Sequence, residues 1–233
     1  MSFAEYRSAF IVGAGHGLSA SLARVLRKAG LAIALGARDT DKLQPLARET
    51  GAQLVRLDAT DPAQVAAAFR QVDAASGAPD VVIYNASARA RGPFVELDPV
   101  QVRDALTVSA YGGFLVAQQA ARHMLSQGRG AILFTGASAS VKGYAQSAPF
   151  AMGKFALRGL AQSLARELAP QGIHVAHFVI DGGIRSAARP VPTAAPDSLL
   201  DPDAIARTYL HVLQQDRSAW TWEVELRPWV ERF

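Results

Sequence analysis

A cluster of glycines between residues 10 and 19 is the first candidate for chemistry. The segment reads Phe-Ile-Val-Gly-Ala-Gly-His-Gly-Leu-Ser and passes from an apolar run into a helical pattern. Glycines in this context let the backbone turn tightly and approach a pyrophosphate at the positive end of a helix. In a G-x-x-x-G-x-G reading, Ser19 takes the third glycine's place, and its hydroxyl offers a further phosphate contact. We expect a dinucleotide to be bound by Gly13, His16, Gly17, Leu18 and Ser19; a tight turn without ligand is the alternative.

The end of the second apolar run indicates which dinucleotide is bound. An acidic side chain there would accept a hydrogen bond from the ribose 2′-hydroxyl of NAD. This chain instead has Ala37, followed by Arg38 and Asp39. A guanidinium matches a 2′-phosphate in charge and in fork geometry. NADP is therefore expected rather than NAD, with Arg38 as the phosphate ligand. The alternative is a solvated Arg38 beside an Asp39 that caps the next helix.

Alternating strand and helix patterns must position these loops. Strands are predicted at 8–12, 32–37, 53–57, 81–84, 131–134, 174–180 and 222–226, and helices at 18–29, 41–50, 62–75, 99–126, 150–169 and 202–214. Strands that are apolar on both faces and separated by helices predict a parallel sheet covered on both sides. Right-handed crossovers then give a single-domain α/β fold over residues 1–233, a Rossmann-like doubly wound sheet of about seven strands.

Two segments lie outside this alternation. Residues 185–200 are rich in Pro and Ala and follow the sixth strand, on the side where open α/β sheets bind ligands. We expect a mobile lid there, with disorder as the alternative. The final predicted strand alternates in polarity, as is typical of an edge strand, and Pro228 follows it.

Composition excludes several classes of protein. Half of the 233 residues are hydrophobic and the net charge is only +4, which excludes a mainly disordered chain. The absence of cysteine excludes disulfides, thiolate catalysis and cysteine-ligated metals. Basic residues are scattered, so no nucleic-acid partner is expected. No apolar run reaches the ~20 residues of a membrane span. Residues 1–7 lack the order of a signal peptide, so a cytoplasmic protein is expected.

Further segments resemble the short-chain dehydrogenase/reductase family over nearly the whole chain. Leu-Asp-Ala at 57–59, Tyr-Asn-Ala-Ser at 84–87 and Ile-Asp-Gly-Gly-Ile at 180–184 occur in the family's order. The resemblance implies an NAD(P)-dependent oxidoreductase that forms a homodimer or homotetramer through its long central helices and last strand. Trp229 and Phe233 would then pack at a subunit boundary or cover the sheet's own edge. The cofactor-binding residues that the resemblance adds are Asp58, Ala59, Asn85, Ala86, Lys154, Gly182 and Ile184.

The same resemblance implies a catalytic site with two changes. The family uses a Tyr as acid or base, a Lys four residues later, an upstream Ser that orients the substrate oxygen, and an Asn that anchors a water relay. Here Phe150 stands at the Tyr position, Lys154 and Ser138 are present, and Ser109 stands at the Asn position. Phenylalanine has no ionisable proton, and losing a general acid typically costs about 10²–10⁴ in rate.

Other residues offer little replacement chemistry. Tyr144 is an alternative proton donor if its loop reaches the site, and a surface tyrosine otherwise. His174 and His177 have odd spacing in one strand, so they do not form a same-face pair, and no metal site is expected. Ser140 and Ser147 lie near Ser138 with no His or Asp arranged as a triad, so a hydrolase has little support.

Two functions remain as hypotheses. The first is an NADP(H)-dependent oxidoreductase with a degenerate proton relay, acting on a small carbonyl or imine. A protonated imine or strongly polarised carbonyl would suit a site without the Tyr. The second is a catalytically silent NADP(H)-binding sensor or regulatory protein.

Overall fold

A computed structural model describes residues 6–231. The predicted contact of Phe233 and part of the segment 1–7 lie outside these residues. Strands and helices alternate in the following order: β1 Ser8–Val12, α1 Leu18–Lys28, β2 Ala32–Ala37, α2 Gln44–Thr50, β3 Gln53–Arg56, α3 Pro62–Ser76, β4 Val81–Tyr84, α4 Pro99–Leu106, α5 Gly112–Gln127, β5 Gly130–Thr135, α6 Ala148–Leu168, β6 Ile173–Ile180, β7 Gly183–Ile184, β8 Leu199–Leu200, α7 Pro202–Leu213 and β9 Glu223–Leu226.

Within the described residues, one sheet contains seven strands, and every neighbouring pair in it is parallel. Its order is β3-β2-β1-β4-β5-β6-β9, so the winding changes direction between β1 and β4. The loops that follow these two strands diverge, which leaves a crevice at the carboxyl edge of the sheet. The predicted Rossmann-like doubly wound α/β fold is confirmed.

Helices cover both faces of the sheet. Ile11 of β1 packs in a core with α1, α2 and α7, whereas its neighbour Phe10 packs in a second core with α3, α5 and α6. Every residue of β1 and β6 is buried, which explains why these strands are apolar on both faces. β9 lies at the sheet edge, as predicted. No helix in the described residues is long and apolar enough to cross a membrane.

The predicted helical stretch 99–126 is confirmed, since residues 99–127 are helical throughout, but a wide turn at Thr107–Tyr111 with π-helical hydrogen bonding stands between α4 and α5. The Tyr84 hydroxyl of β4 donates a hydrogen bond to the Val108 carbonyl. That carbonyl would otherwise accept from the regular helical ladder. Gly112 then lies so close to Tyr84 that a Cβ would come within 2.5 Å of the phenol oxygen. The π-helical turn thus lies where the helix contacts a distant strand, which helical periodicity does not reveal.

The segment 185–200 has both of its ends attached. β7 and β8 pair in parallel, with Gly183 opposite Leu199. Ser186 and Arg189 exchange two backbone hydrogen bonds of 3.0 Å, which form a tight turn. The Arg185 guanidinium pairs with the Asp201 carboxylate at 3.0 Å. Movement of this segment as a lid stays a prediction.

Replacing Gly13 by alanine is expected to lower the free energy of unfolding by about 2–4 kcal/mol. Its φ of 83° is in the left-handed region, and a Cβ there would lie 2.3 Å from the Ala86 backbone nitrogen. Gly15→Ala is the matched control, because a Cβ at Gly15 meets no atom within 4 Å. Urea denaturation of the cofactor-free variants measures both effects, and equal losses would contradict this packing argument.

Candidate active site

Two adjoining cavities open at the carboxyl edge of the sheet. Cavity 1, of about 370 Å³, lies around the ends of β1, β2 and β3, and cavity 2, of about 440 Å³, lies around the ends of β5 and β6 beside α6. Asn85 and Ser87, which follow β4, line both. The predicted residues on the wall of cavity 1 are Gly13, Arg38, Asp58, Ala59, Asn85 and Ala86. Those on the wall of cavity 2 are Gly17, Leu18, Asn85, Phe150, Lys154, Gly182 and Ile184.

The glycine loop is held in place by backbone and side-chain hydrogen bonds. The N–H groups of Gly13 and Ala14 both donate to the Gly36 carbonyl, at 2.9 and 3.0 Å. The Asn85 amide donates to the Ser19 hydroxyl at 2.7 Å, and that hydroxyl donates to the Gly13 carbonyl at 3.3 Å. Ser19 is therefore buried inside the loop and lines neither cavity. Its predicted contact with phosphate finds no support in this arrangement.

The start of α1 fits the phosphates of a dinucleotide. Gly17 precedes the helix without a capping side chain, and no acidic residue stands in the first turn. By contrast, an aspartate caps each of α3, α4 and α7, namely Asp61, Asp98 and Asp201. A Cβ at Gly15 or Gly17 would meet no atom within 4 Å, so the loop has room on its outer side. The first N–H groups of α1 are thus free for an anion.

The end of β2 presents positive charge to cavity 1. Arg38 is exposed on the wall of this cavity. The preceding residue is Ala37, at the position where an acidic side chain would accept a hydrogen bond from the ribose 2′-hydroxyl of NAD. Asp39 also lines this cavity, but its carboxylate pairs with Lys42 at 2.9 Å. Arg38 therefore remains the free charged group at this end of the cavity, among the residues that the structure describes.

Phe150 and Lys154 lie side by side on α6, as their spacing of four residues predicts. Phe150 is 8% exposed and Lys154 only 3%, and the ammonium nitrogen lies 5.9 Å from the ring centroid. Lys154 Nζ donates to the Thr135 carbonyl at 2.7 Å. Burial, together with the positive charge of Arg89, lowers the pKa of Lys154 to about 7.

Several predicted residues are not brought into this site. Ser138 begins a short turn, and it is Ala137 that lines cavity 2. Ser109 is fully buried, and its hydroxyl accepts a hydrogen bond of 3.3 Å from the Ala88 N–H. His16 is exposed and faces a groove beside residues 185–191. Tyr144 lies on the surface next to Lys142 and lines neither cavity.

A family model described as short chain dehydrogenase matches residues 7–190 of this chain. The chain belongs to the short chain dehydrogenase family. The cis-4-hydroxycyclohexanecarboxylate dehydrogenase of Sinomonas cyclohexanicum is 34% identical to it over 179 residues, which cover 75% of this chain and 72% of that relative. An uncharacterized oxidoreductase of Staphylococcus aureus is 26% identical over 226 residues, 94% of this chain and 96% of the other.

Solved structures agree with this assignment. A short-chain dehydrogenase from Rhodopseudomonas palustris superposes with a TM-score of 0.83 at 36% identity, over 96% of this chain and 99% of the other. A gluconate 5-dehydrogenase from Burkholderia cenocepacia, in complex with NADP and tartrate, gives a TM-score of 0.83 at 26% identity, over 95% and 94% of the two chains. The predicted family resemblance is confirmed, and the protein is an oxidoreductase.

Behind cavity 2, this short-chain dehydrogenase contains an array that the sequence did not reveal. The Ser140 hydroxyl lies 3.3 Å from His177 Nε2, and His177 Nδ1 lies 3.0 Å from the Glu223 carboxylate. Arg158 binds the same carboxylate through two hydrogen bonds of 2.6 and 2.7 Å. The expectation that no His or acid is arranged with Ser140 is therefore wrong. Because Ser140 and His177 are both completely buried, the array cannot meet a substrate.

Each group in this array has a defined role. A carboxylate only accepts, so His177 carries its proton on Nδ1 and accepts the Ser140 hydroxyl on Nε2. That hydroxyl in turn accepts the Ala137 N–H at 3.2 Å. Burial lowers the pKa of His177 to about 4, despite the attraction of Glu223, so the ring is neutral at physiological pH. The array therefore connects the wall of cavity 2 at Ala137 to the edge strand β9.

The neutral state of His177 predicts a pH dependence of stability. In the unfolded chain its pKa returns to about 6.5, so the unfolded state takes up the proton first as the pH falls. The contribution of neutral His177 to the free energy of unfolding is fully present above pH ~6.5. It decreases by up to about 3 kcal/mol as the pH falls to ~4. His177→Gln should reduce this loss, whereas the matched change at the exposed His211 should not. Urea denaturation at several pH values measures it, and identical pH profiles in all three proteins would refute the argument.

Proposed function

We propose that this short-chain dehydrogenase transfers hydride between NADP(H) and a small carbonyl or imine substrate without the tyrosine that its family uses. The observation that carries the proposal is Phe150, which is buried beside Lys154 on the wall of cavity 2. Its ring has no proton to give or take, while the surrounding walls keep the features suited to a dinucleotide. The site is thus equipped for the cofactor, with a degenerate proton relay.

The residues proposed to hold NADP(H) follow the two cavities. Gly17 and Leu18, at the uncapped start of α1, would bind the pyrophosphate. Arg38 would bind the 2′-phosphate, which favours NADP over NAD. Asp58 would contact the adenine, and Lys154 would donate to the nicotinamide ribose. Six further wall residues complete the proposed site: Gly13, Ala59, Asn85, Ala86, Gly182 and Ile184.

The proposed reduction requires both a hydride and a proton. When bound, NADPH would supply the hydride to the carbonyl carbon, and the oxygen would have to gain a proton to give the alcohol. Lys154 carries ammonium protons that its single bond to Thr135 leaves free. Since its pKa is near 7, it exchanges a proton readily at neutral pH. A protonated imine needs no donor, because the hydride alone converts it to the amine.

The catalytically silent sensor is not favoured by the comparisons. Two similar proteins with a specific activity in their names, a cis-4-hydroxycyclohexanecarboxylate dehydrogenase and a gluconate 5-dehydrogenase, are dehydrogenases. We therefore keep turnover, and not binding alone, as the proposed function.

Exposed apolar side chains support a homodimer or homotetramer as part of this proposal. Phe114 on α5 and Met152 and Phe155 on α6 are each at least two-fifths exposed. Trp229, after β9, is 81% exposed. Aromatic and methionine side chains are enriched where proteins associate. A second copy that packs on these helices would cover them.

Arg38→Ala is expected to weaken NADPH binding about ten- to hundredfold while leaving NADH binding nearly unchanged. The reason is that it removes a charge-assisted contact of roughly 1.5–3 kcal/mol with the 2′-phosphate. Arg48→Ala is the matched control, because Arg48 is exposed on α2 and lines neither cavity. Fluorescence titration measures each affinity. Equal losses for NADPH and NADH would remove the NADP assignment.

Phe150→Tyr is expected to raise the rate of carbonyl reduction by about 10²–10⁴, because it places an acidic hydroxyl beside Lys154. Loss of NADPH absorbance with a panel of ketones, aldehydes and cyclic imines measures the rate. The proposal also expects the wild-type protein to turn over imines more readily than ketones.

Phe155→Tyr is the control for this experiment. It adds the same hydroxyl to an exposed position of the same helix and should leave the rate unchanged. An unchanged rate in Phe150→Tyr would show that position 150 does not meet the substrate oxygen. NADPH binding with no turnover by either protein would favour the sensor.

A further inference from the structure

Cavity 2 carries positive charge that no acidic group on its wall balances. Arg89, Lys154, Arg185 and Arg189 all line it, whereas no aspartate or glutamate among the described residues does. A concave wall of one charge sign concentrates ligands of the opposite sign.

The nearby carboxylates are engaged elsewhere. Asp201 pairs with Arg185 at 3.0 Å, which neutralises one of the four cations. Asp181, which lies between two wall residues, accepts from Lys142 at 3.1 Å. Within residues 6–231, Arg89 and Arg189 form no ion pair. Their charges are therefore available to a ligand.

Arg89 is an exposed residue whose guanidinium lies against the Phe150 side of cavity 2. Its guanidinium carbon lies 4.2 Å from the centroid of the Phe150 ring, which is a stacked cation–π contact. The preceding residue, Ala88, is anchored through its N–H to the buried Ser109 hydroxyl at 3.3 Å. Burial and the like charges of Arg91 and Arg189 lower the pKa of Arg89. A guanidinium stacked on a ring keeps its N–H fork free for bidentate contact with an anion.

Arg89 shares cavity 2 with Gly17 and Leu18, the proposed pyrophosphate ligands, but differs from them in the residue it contacts. The phosphates of the cofactor are assigned to the start of α1 at Gly17, whereas Arg89 follows β4 and stacks on Phe150. Phe150 stands where the family resemblance places the residue that meets the substrate oxygen. We therefore assign an anion bound by Arg89 to the substrate.

Resting on the proposed function, we infer that the substrate carries an anionic group, a carboxylate or a phosphate, and that Arg89, assisted by Arg189, binds it. Since the 440 Å³ of cavity 2 must also admit the nicotinamide, the substrate is small.

The test uses the NADPH-saturated protein and three probes of similar shape: benzoate, phenyl phosphate and the neutral benzamide. Calorimetry is expected to show that at least one anion binds roughly tenfold or more tightly than benzamide. Comparing the affinities of benzoate and phenyl phosphate distinguishes a carboxylate site from a phosphate site. Arg89→Gln should abolish the preference, whereas Arg91→Gln, which removes an exposed charge two residues away, should keep it.

The outcomes separate this inference from the proposed function. Equal binding of all three probes, or a preference that survives Arg89→Gln, would overturn the inference alone. If Arg89→Gln weakens NADPH binding as much as it weakens anion binding, Arg89 belongs to the cofactor site, and the inference is also overturned. A wild-type protein that fails to bind NADPH contradicts the proposed function, and the same titrations without NADPH then decide the anion site separately.

Discussion

The close approach of three strand ends around Gly13 is the constraint on which the rest of the site depends. The parallel register aligns Val12 of β1 with Gly36 of β2 and Tyr84 of β4. The next residues therefore meet at one point, where the Gly36 carbonyl accepts two N–H groups and the Ala86 backbone leaves no room for a side chain at position 13. This contact directs the free start of α1 into the crevice, and cavities 1 and 2 lie on either side of it.

Phe150 shapes the chemistry at one wall of that crevice in two ways. Its phenyl ring carries no ionisable hydroxyl, and it supplies a flat apolar surface on which Arg89 stacks. The same Arg89 charge, added to burial, holds the pKa of Lys154 near neutrality. The Phe150 ring, the Arg89 charge and the lowered pKa of Lys154 are thus physically connected. Under the proposed function, such a site suits small substrates that carry negative charge and make modest demands on a proton donor.

Buried polar groups behind this wall explain how it keeps its shape. The hydrogen-bonded array from Ala137 through Ser140 and His177 to Glu223 joins the turn after β5 to β6 and β9. A buried network in which each member has a partner gives rigidity, whereas a partly satisfied one would be costly. It resembles a hydrolytic triad in chemistry only, since burial withholds it from substrate. Its residues lie up to 86 positions apart, and spacing along the chain therefore gave no sign of it.

The sequence by itself determined the doubly wound sheet and the surroundings of the dinucleotide site. Apolar runs and glycine spacing are local signals, and parallel strands bring their carboxyl ends to one edge whatever the side chains elsewhere. The tertiary structure alone decided the π-helical turn at Val108, the presence of Ala137 and not Ser138 on the wall, and the place of Arg89 against Phe150. Each of these depends on contact between segments distant in the chain, and neither periodicity nor spacing records such contacts.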